Sequence, residues 1–195
     1  MKIRNNIKST VFQSIALVCI VLGAASCESK SNKEEAKEIH NEAIIDENKK
    51  EKDAAFLSKA AEINIEEIAL GQLAMEKGTM KAVSELGKMM DVDHTKCLKG
   101  LSELAKEKNI AIPAGLTPDA EEAYKKLEHK NGIHFDEEYC DMMVKGHENA
   151  ITMFDKAATE CSDPDIRDWA TKTLPSLKAH LHHAMMCKAK CEKNK

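Results

Sequence analysis

Four long stretches of this chain repeat apolar residues every three or four positions, and that spacing dictates helices. Phe56, Ala60, Ile63, Leu70 and Ala74 share one face of the first stretch, and Val83, Met90, Cys97, Leu101 and Leu104 one face of the second. Tyr139, Met143, Ala150 and Phe154 line the third. Ile166, Ala170, Leu174, Leu177 and Ala184 line the fourth. Alternation of β-branched residues is missing throughout. Aromatics make up only 4% of the chain, with 8 glycines and 4 prolines, a composition that favours an all-α domain.

Helix signals punctuate these stretches. The first is expected over Asp53–Lys77, ended by Gly78-Thr79 with Thr79 as the next N-cap, and the second runs to Lys108. Thr117-Pro118 reads as N-cap and first residue of a short helix that stops at Asn131-Gly132. The third spans Phe135 to Thr159, and Asp163-Pro164 caps the fourth. Pro175 lies inside the fourth, where it removes a hydrogen bond and favours a kink. Two helical hairpins joined by a long crossover, Asn109 to His134, make a ferritin-like four-helix bundle whose crossover contains a short helix. A short-looped up-down bundle is the alternative.

The N-terminus carries an address. Lys2, Arg4 and Lys8 precede a mostly apolar run over residues 11–25, too short for a comfortable membrane span, and Ala24-Ala25-Ser26 leads directly into Cys27. This resembles a bacterial lipoprotein signal peptide with a relaxed lipobox. The resemblance implies removal of residues 1–26, a lipid on Cys27, and attachment through it to a membrane of the cell envelope, facing the periplasm or the cell surface. Ordinary secretion, with Cys27 a bystander, is the alternative. Residues 28–52 are charged and without a sustained apolar stripe, so 27–52 reads as lipidated cysteine plus flexible tether, with room for partial helix around Glu34 to Ile45, and 53–195 as the bundle domain. With Cys19 removed and Cys27 lipidated, Cys97, Cys140, Cys161, Cys187 and Cys191 remain, an odd set that cannot all pair within one chain.

The residues that break the stripes carry the functional reading. Glu67 interrupts the first, His94 the second, His147 the third and His180 the fourth. Counted from the turns at about 1.5 Å per residue, all four fall near mid-bundle. Buried carboxylates and imidazoles are costly unless paired or coordinated. Two outcomes are open: a hydrogen-bonded network with Asp91, Asp93, Asp136 or Asp141 as partners, or a Glu/His₃ site for Zn, Fe, Mn or Cu(II).

Four segments, "FLSKAAEINIEEIALGQLA", "GKMMDVDHTKCLKGLSELAKEKNI", "FDEEYCDMMVKGHENAITMFDKA" and "DIRDWATKTLPSLKAHLHHA", resemble in order the bacterial family known as domain of unknown function 4142. The matching features are Glu67, Asp93-His94, Phe135-Asp136, Tyr139, His147, Leu174-Pro175 and His180. The resemblance implies a ferritin-like bundle in an exported protein and no particular reaction. The cysteines and the Met/Cys-rich end depart from the family pattern. Di-iron oxidase chemistry would need Glu-x-x-His on two helices, but the residues three before His94, His147 and His180 are Asp91, Val144 and Leu177.

Sulfur recurs one turn from histidine: Met90 and His94, Met143 and His147, His182 and Met186, His183 and Cys187. Soft ligands of this kind select Cu(I), although methionine is also a common core filler. His183, Cys187 and Cys191 read as a second, surface-facing soft site, with a disulfide from Cys187 or Cys191 to another helix as the alternative. No catalytic residues are identified: no nucleophile–base arrangement, phosphate loop or carboxylate pair has a supporting context. The net charge of −4 and the lack of a long basic cluster exclude a nucleic-acid partner. The sequence thus points to an envelope lipoprotein holding a metal or a protein partner in metal or stress homeostasis. A metal-dependent oxidoreductase and a purely structural or adaptor lipoprotein are the alternatives.

Overall fold

Five α-helices, with no strand among the described residues, build the computed structural model, which describes residues 30–193. They are α1 (Lys30–Lys77), α2 (Lys81–Glu107), α3 (Pro118–Glu128), α4 (Ile133–Glu160) and α5 (Pro164–Glu192). The chain divides into units of residues 1–39 and 40–195, and the bundle belongs to the second. The expected signal peptide and the expected lipidation site, Cys27, lie outside the described residues. Among the described residues no helix is long and apolar enough to cross a membrane.

The apolar stripes are buried as their spacing requires. Two differences from the sequence reading stand out. The charged stretch read as a tether is helical from Lys30 onward, although every side chain described between residues 42 and 52 is exposed. Lys, Glu and Ala need no buried face to extend a helix already anchored further along, and the Lys50–Asp46 pair at 2.6 Å spans one turn of it. Burial begins at Asp53. The second difference is at α2, whose N-cap is Met80 rather than Thr79 and has no side-chain cap of its own.

The missing cap comes from another helix. Asp136, fully buried on α4, accepts from Thr79 N (3.0 Å), Thr79 Oγ1 (2.5 Å) and Met80 N (2.9 Å). At the opposite end Asp53 on α1 does the same for the α4–α5 turn, accepting from Ser162 N (2.9 Å), Ser162 Oγ (2.6 Å) and Asp163 N (2.8 Å). Each carboxylate thus satisfies backbone donors that a helix start leaves unpaired. The first helix of each hairpin pins the turn of the other. Asp53 and Asp136, Thr79 and Ser162, and Met80 and Asp163 are all separated by the same number of residues, so the hairpins are equivalent.

These pins also fix the topology. The start of α2 meets the start of α4, and Lys108 at the end of α2 pairs with Asp163 (2.7 Å) and Asp165 (2.6 Å) at the start of α5. Helices α2 and α4 therefore run parallel, and the segment between them must travel back along the bundle, as a ferritin-like crossover does. Thr117 caps α3 within this crossover by accepting from Ala120 N (3.3 Å). Helix α5 continues through Pro175 without interruption.

The core has two apolar halves. One is organised by Phe56, Phe154 and Trp169, whose ring centroids lie 5.1–6.0 Å apart. The two edge-on pairs, both made by Phe56, add about 0.5–1.5 kcal/mol each beyond their buried area. The other half holds Met90, Phe135, Tyr139 and Met143 together with Cys140, Cys187 and Cys191. In it α1 and α2 touch backbone to backbone: a Cβ on Gly71 would lie 2.6 Å from Gly87 O, and one on Gly87 2.6 Å from Gly71 O. Asn64, Glu67, His94, His147 and His180 are buried but belong to neither apolar half.

Candidate metal centre

Each of the four stripe-breaking residues is buried, with exposures of 5% for Glu67, 3% for His94, 1% for His147 and 3% for His180. The three histidines converge. Their ring centroids are 5.2, 5.3 and 5.7 Å apart, and each offers a ligand atom within 4.8 Å of the other two.

The second nitrogen of every ring is tied to a fixed acceptor. His147 Nδ1 lies 2.8 Å from Met143 O. A carbonyl only accepts, so the proton is on Nδ1 and the lone pair on Nε2. His180 Nε2 lies 3.0 Å from Asp93 Oδ2, with Ser176 Oγ at 3.4 Å, so its lone pair is on Nδ1. His94 Nδ1 lies 3.0 Å from Asn64 Oδ1, and Asn64 is oriented by its own donation to Ala60 O at 2.7 Å. This leaves the lone pair of His94 on Nε2, a buried atom with no hydrogen-bond partner.

Three lone pairs therefore face one another without a proton between them: His147 Nε2 stands 3.3 Å from His180 Nδ1, and His94 Nε2 is orphaned. A protonated ring would relieve this, but burial opposes it. Desolvation holds His94 well below the usual imidazole value, lowers His147 to about 4, and lowers His180 against the pull of Asp93. Neutral imidazoles anchored at one nitrogen and open at the other fit a metal ion, because the anchoring partner fixes tautomer and ring orientation. A cleft of about 260 Å³ lined by Asp93, His94, Ser176 and His180 opens onto the group.

Glu67 does not join the convergent set. Its Oε1 is 3.7 Å from His147 Nδ1, the anchored side of that ring. The separation is not an ion pair at neutral pH, because burial raises the carboxyl to about 8 while the imidazole stays neutral. Gly146 makes room for this carboxyl, since a Cβ there would lie 3.1 Å from Oε1.

Of the four aspartates offered as partners, only Asp93 meets a histidine of the centre. Asp91 accepts from Gln72, Asp136 pins the α1–α2 turn, and Asp141 pairs with Lys188. The expected surface-facing soft site is reassembled. His183 is exposed on the wall of a cleft, whereas Cys187 and Cys191 are buried and meet Cys140 of α4. Sequence reasoning missed Asn64 and Cys140. The one signal for Asn64 was a polar side chain next to the Glu67 stripe, and Cys140 sat one position off the stripe of α4.

A family model described as Domain of unknown function (DUF4142) matches residues 41–187. No curated protein matches the chain. A solved structure of a DUF305 fragment from Deinococcus radiodurans is 10% identical, with a TM-score of 0.63 over 71% of this chain and 95% of that one. At that identity the likeness shows the helical fold alone.

Proposed function

The chain belongs to the DUF4142 family, a domain of unknown function, so its activity must be read from its own side chains, and we propose a cell-envelope lipoprotein whose bundle holds a divalent transition metal on His94, His147 and His180. The observation that carries the metal reading is the convergence of three unprotonated imidazole nitrogens, each with its other nitrogen donating to Asn64, Met143 or Asp93. Three imidazoles with an open approach suit borderline ions such as Zn(II), and also Cu(II) or Fe(II). When bound, the ion would polarise whatever enters the Asp93–His180 cleft. The chain itself orients the rings, excludes water from the side of Glu67, and holds a proton on that carboxyl. The envelope location rests on residues 1–27: the basic start, the short apolar run and the small residues before Cys27.

The test is metal content of the full chain, purified in detergent, and of its His94→Ala and His147→Ala forms. One equivalent of metal in the parent and none in the variants is expected. A metal-free parent whose melting temperature ignores added Zn, Cu, Fe and Mn overturns the reading and leaves a structural or adaptor lipoprotein. The cleft favours a second reading, a metal-dependent oxidoreductase. Turnover of O₂ or peroxide by the iron- or copper-loaded protein, absent in His147→Ala, distinguishes it from a metal store.

A further inference from the structure

Three thiols lie buried in the apolar half beyond the histidines. Cys140 Sγ is 3.0 Å from Cys187 Sγ and 3.8 Å from Cys191 Sγ, and all three sulfurs fall within 4.8 Å of one another. None of the three is more than 3% exposed. Val83, Leu86, Phe135 and Tyr139 belong to the same cluster. Cys187 stands seven residues from His180 on α5, about 10 Å along the axis, so the sulfur group is a separate site.

A set made only of sulfur selects a soft ion, and low coordination number narrows the choice to a d¹⁰ monovalent one. The surroundings point the same way. Burying charge without compensation is costly, so the ion that requires the fewest thiolates is favoured. Cu(I) is satisfied by two thiolates with the third sulfur remaining a thiol.

A route exists. A cleft of about 340 Å³ between α2 and α5 reaches Cys187 and carries Met89, His183 and Met186 on its wall. His183 and Met186 are exposed and Met89 is half-buried, which grades the lining from solvent to the thiols with soft ligands at each level. We propose that Cys140, Cys187 and Cys191 form a buried Cu(I) site, loaded through the Met89–His183–Met186 cleft and independent of the imidazole centre. On binding, two S–H protons leave to solvent, two Cu–S bonds form, the third thiol completes the shell, and copper keeps its oxidation state.

The experiment uses the full chain in detergent, reduced and handled without oxygen, titrated with Cu(I) against a chromophoric Cu(I) chelator. One equivalent should resist the chelator, with X-ray absorption at the copper edge showing only sulfur around the ion. Cys140→Ser and Cys187→Ser should lose that equivalent. Cys97→Ser, Cys161→Ser and His147→Ala should keep it, and Met89→Leu combined with Met186→Leu should slow loading without changing the stoichiometry. Nitrogen or oxygen neighbours in the wild-type spectrum overturn the proposal, a result that does not depend on any variant folding. Equal uptake by folded Cys187→Ser, or loss of uptake in His147→Ala, overturns it too. So does a Cys140–Cys187 disulfide in protein isolated without oxygen.

Discussion

The nitrogen and sulfur clusters sit two helical turns apart in one bundle, yet they are built on different terms. Every histidine of the first is held twice, once by packing and once by an acceptor on its far nitrogen, and the three acceptors come from α1, α2 and α4. The cysteines of the second are held by apolar packing and by each other, with no polar group among the described residues hydrogen-bonded to Cys140 or Cys191 beyond the trio. Orientation is prepaid in the first cluster and left to the ligand in the second. A rigid nitrogen set favours an ion with directional demands, and a pliable sulfur set favours one without.

The contrast is most directly broken at His147. In the parent protein, zinc at about a hundred times its Kd should raise stability by roughly 2.7 kcal/mol, and in His147→Ala thermal unfolding should not respond to zinc at all. The Cu(I) equivalent should remain. Loss of both metals in this variant would mean that the clusters are one unit.

Asp93 tests whether prepaid orientation matters. Asp93→Asn keeps the shape but weakens the acceptor at His180, and zinc affinity measured by competition should fall about 10–100-fold. Unfolding of the metal-free protein should change little, because Asp93 is half-exposed.

Glu67 gives a pH signature to the nitrogen side alone. Its carboxyl is raised from 4.5 to about 8 in the folded chain, so the stability it contributes is complete below 4.5 and lost as pH rises through 8. His147 has the opposite sign: its imidazole falls from 6.5 to about 4, so stability present above 6.5 is lost as pH drops through 4. Of these two groups only Glu67 acts between pH 6.5 and 8. Metal-free protein should lose roughly 1–2 kcal/mol across that window, and Glu67→Gln should flatten it, as read from urea unfolding at each pH.

The smallest effect is expected beside the thiols. Lys188 and Asp141 pair at 2.8 Å with both side chains about 40% exposed. Lys188→Ala should cost less than about 1 kcal/mol in unfolding and leave both metal affinities where they were.

Periodicity carried the helices and the three histidines into view, because a polar side chain inside an apolar stripe is visible without knowing what it faces. It could not show which atoms would face each other. Asn64 matters only because Ala60 turns its amide towards His94, a relation that spans two helices. Cys140 lies off the stripe of α4 and becomes a partner only through the way α4 and α5 dock, while His183, in register with Cys187, ends at the rim of a cleft. The full extent of the helix over residues 30–52, beyond the partial helix expected around Glu34 to Ile45, was hidden for the converse reason: burial patterns reveal helices that pack, and this stretch has no described buried side chain before Asp53.

The paired aspartates have one more consequence. The carboxylates of Asp53 and Asp136 each bond to the turn of the opposite hairpin and, among the described residues, to nothing in their own. Either hairpin can therefore receive its pin from a second molecule as well as from its own chain. Two copies that traded hairpins would keep both pins, both cores and both clusters, and only the path of the crossover would differ. The fold is in effect a tethered dimer of hairpins, and the segment from Lys108 to Gly132 decides whether the two halves come from one molecule or two.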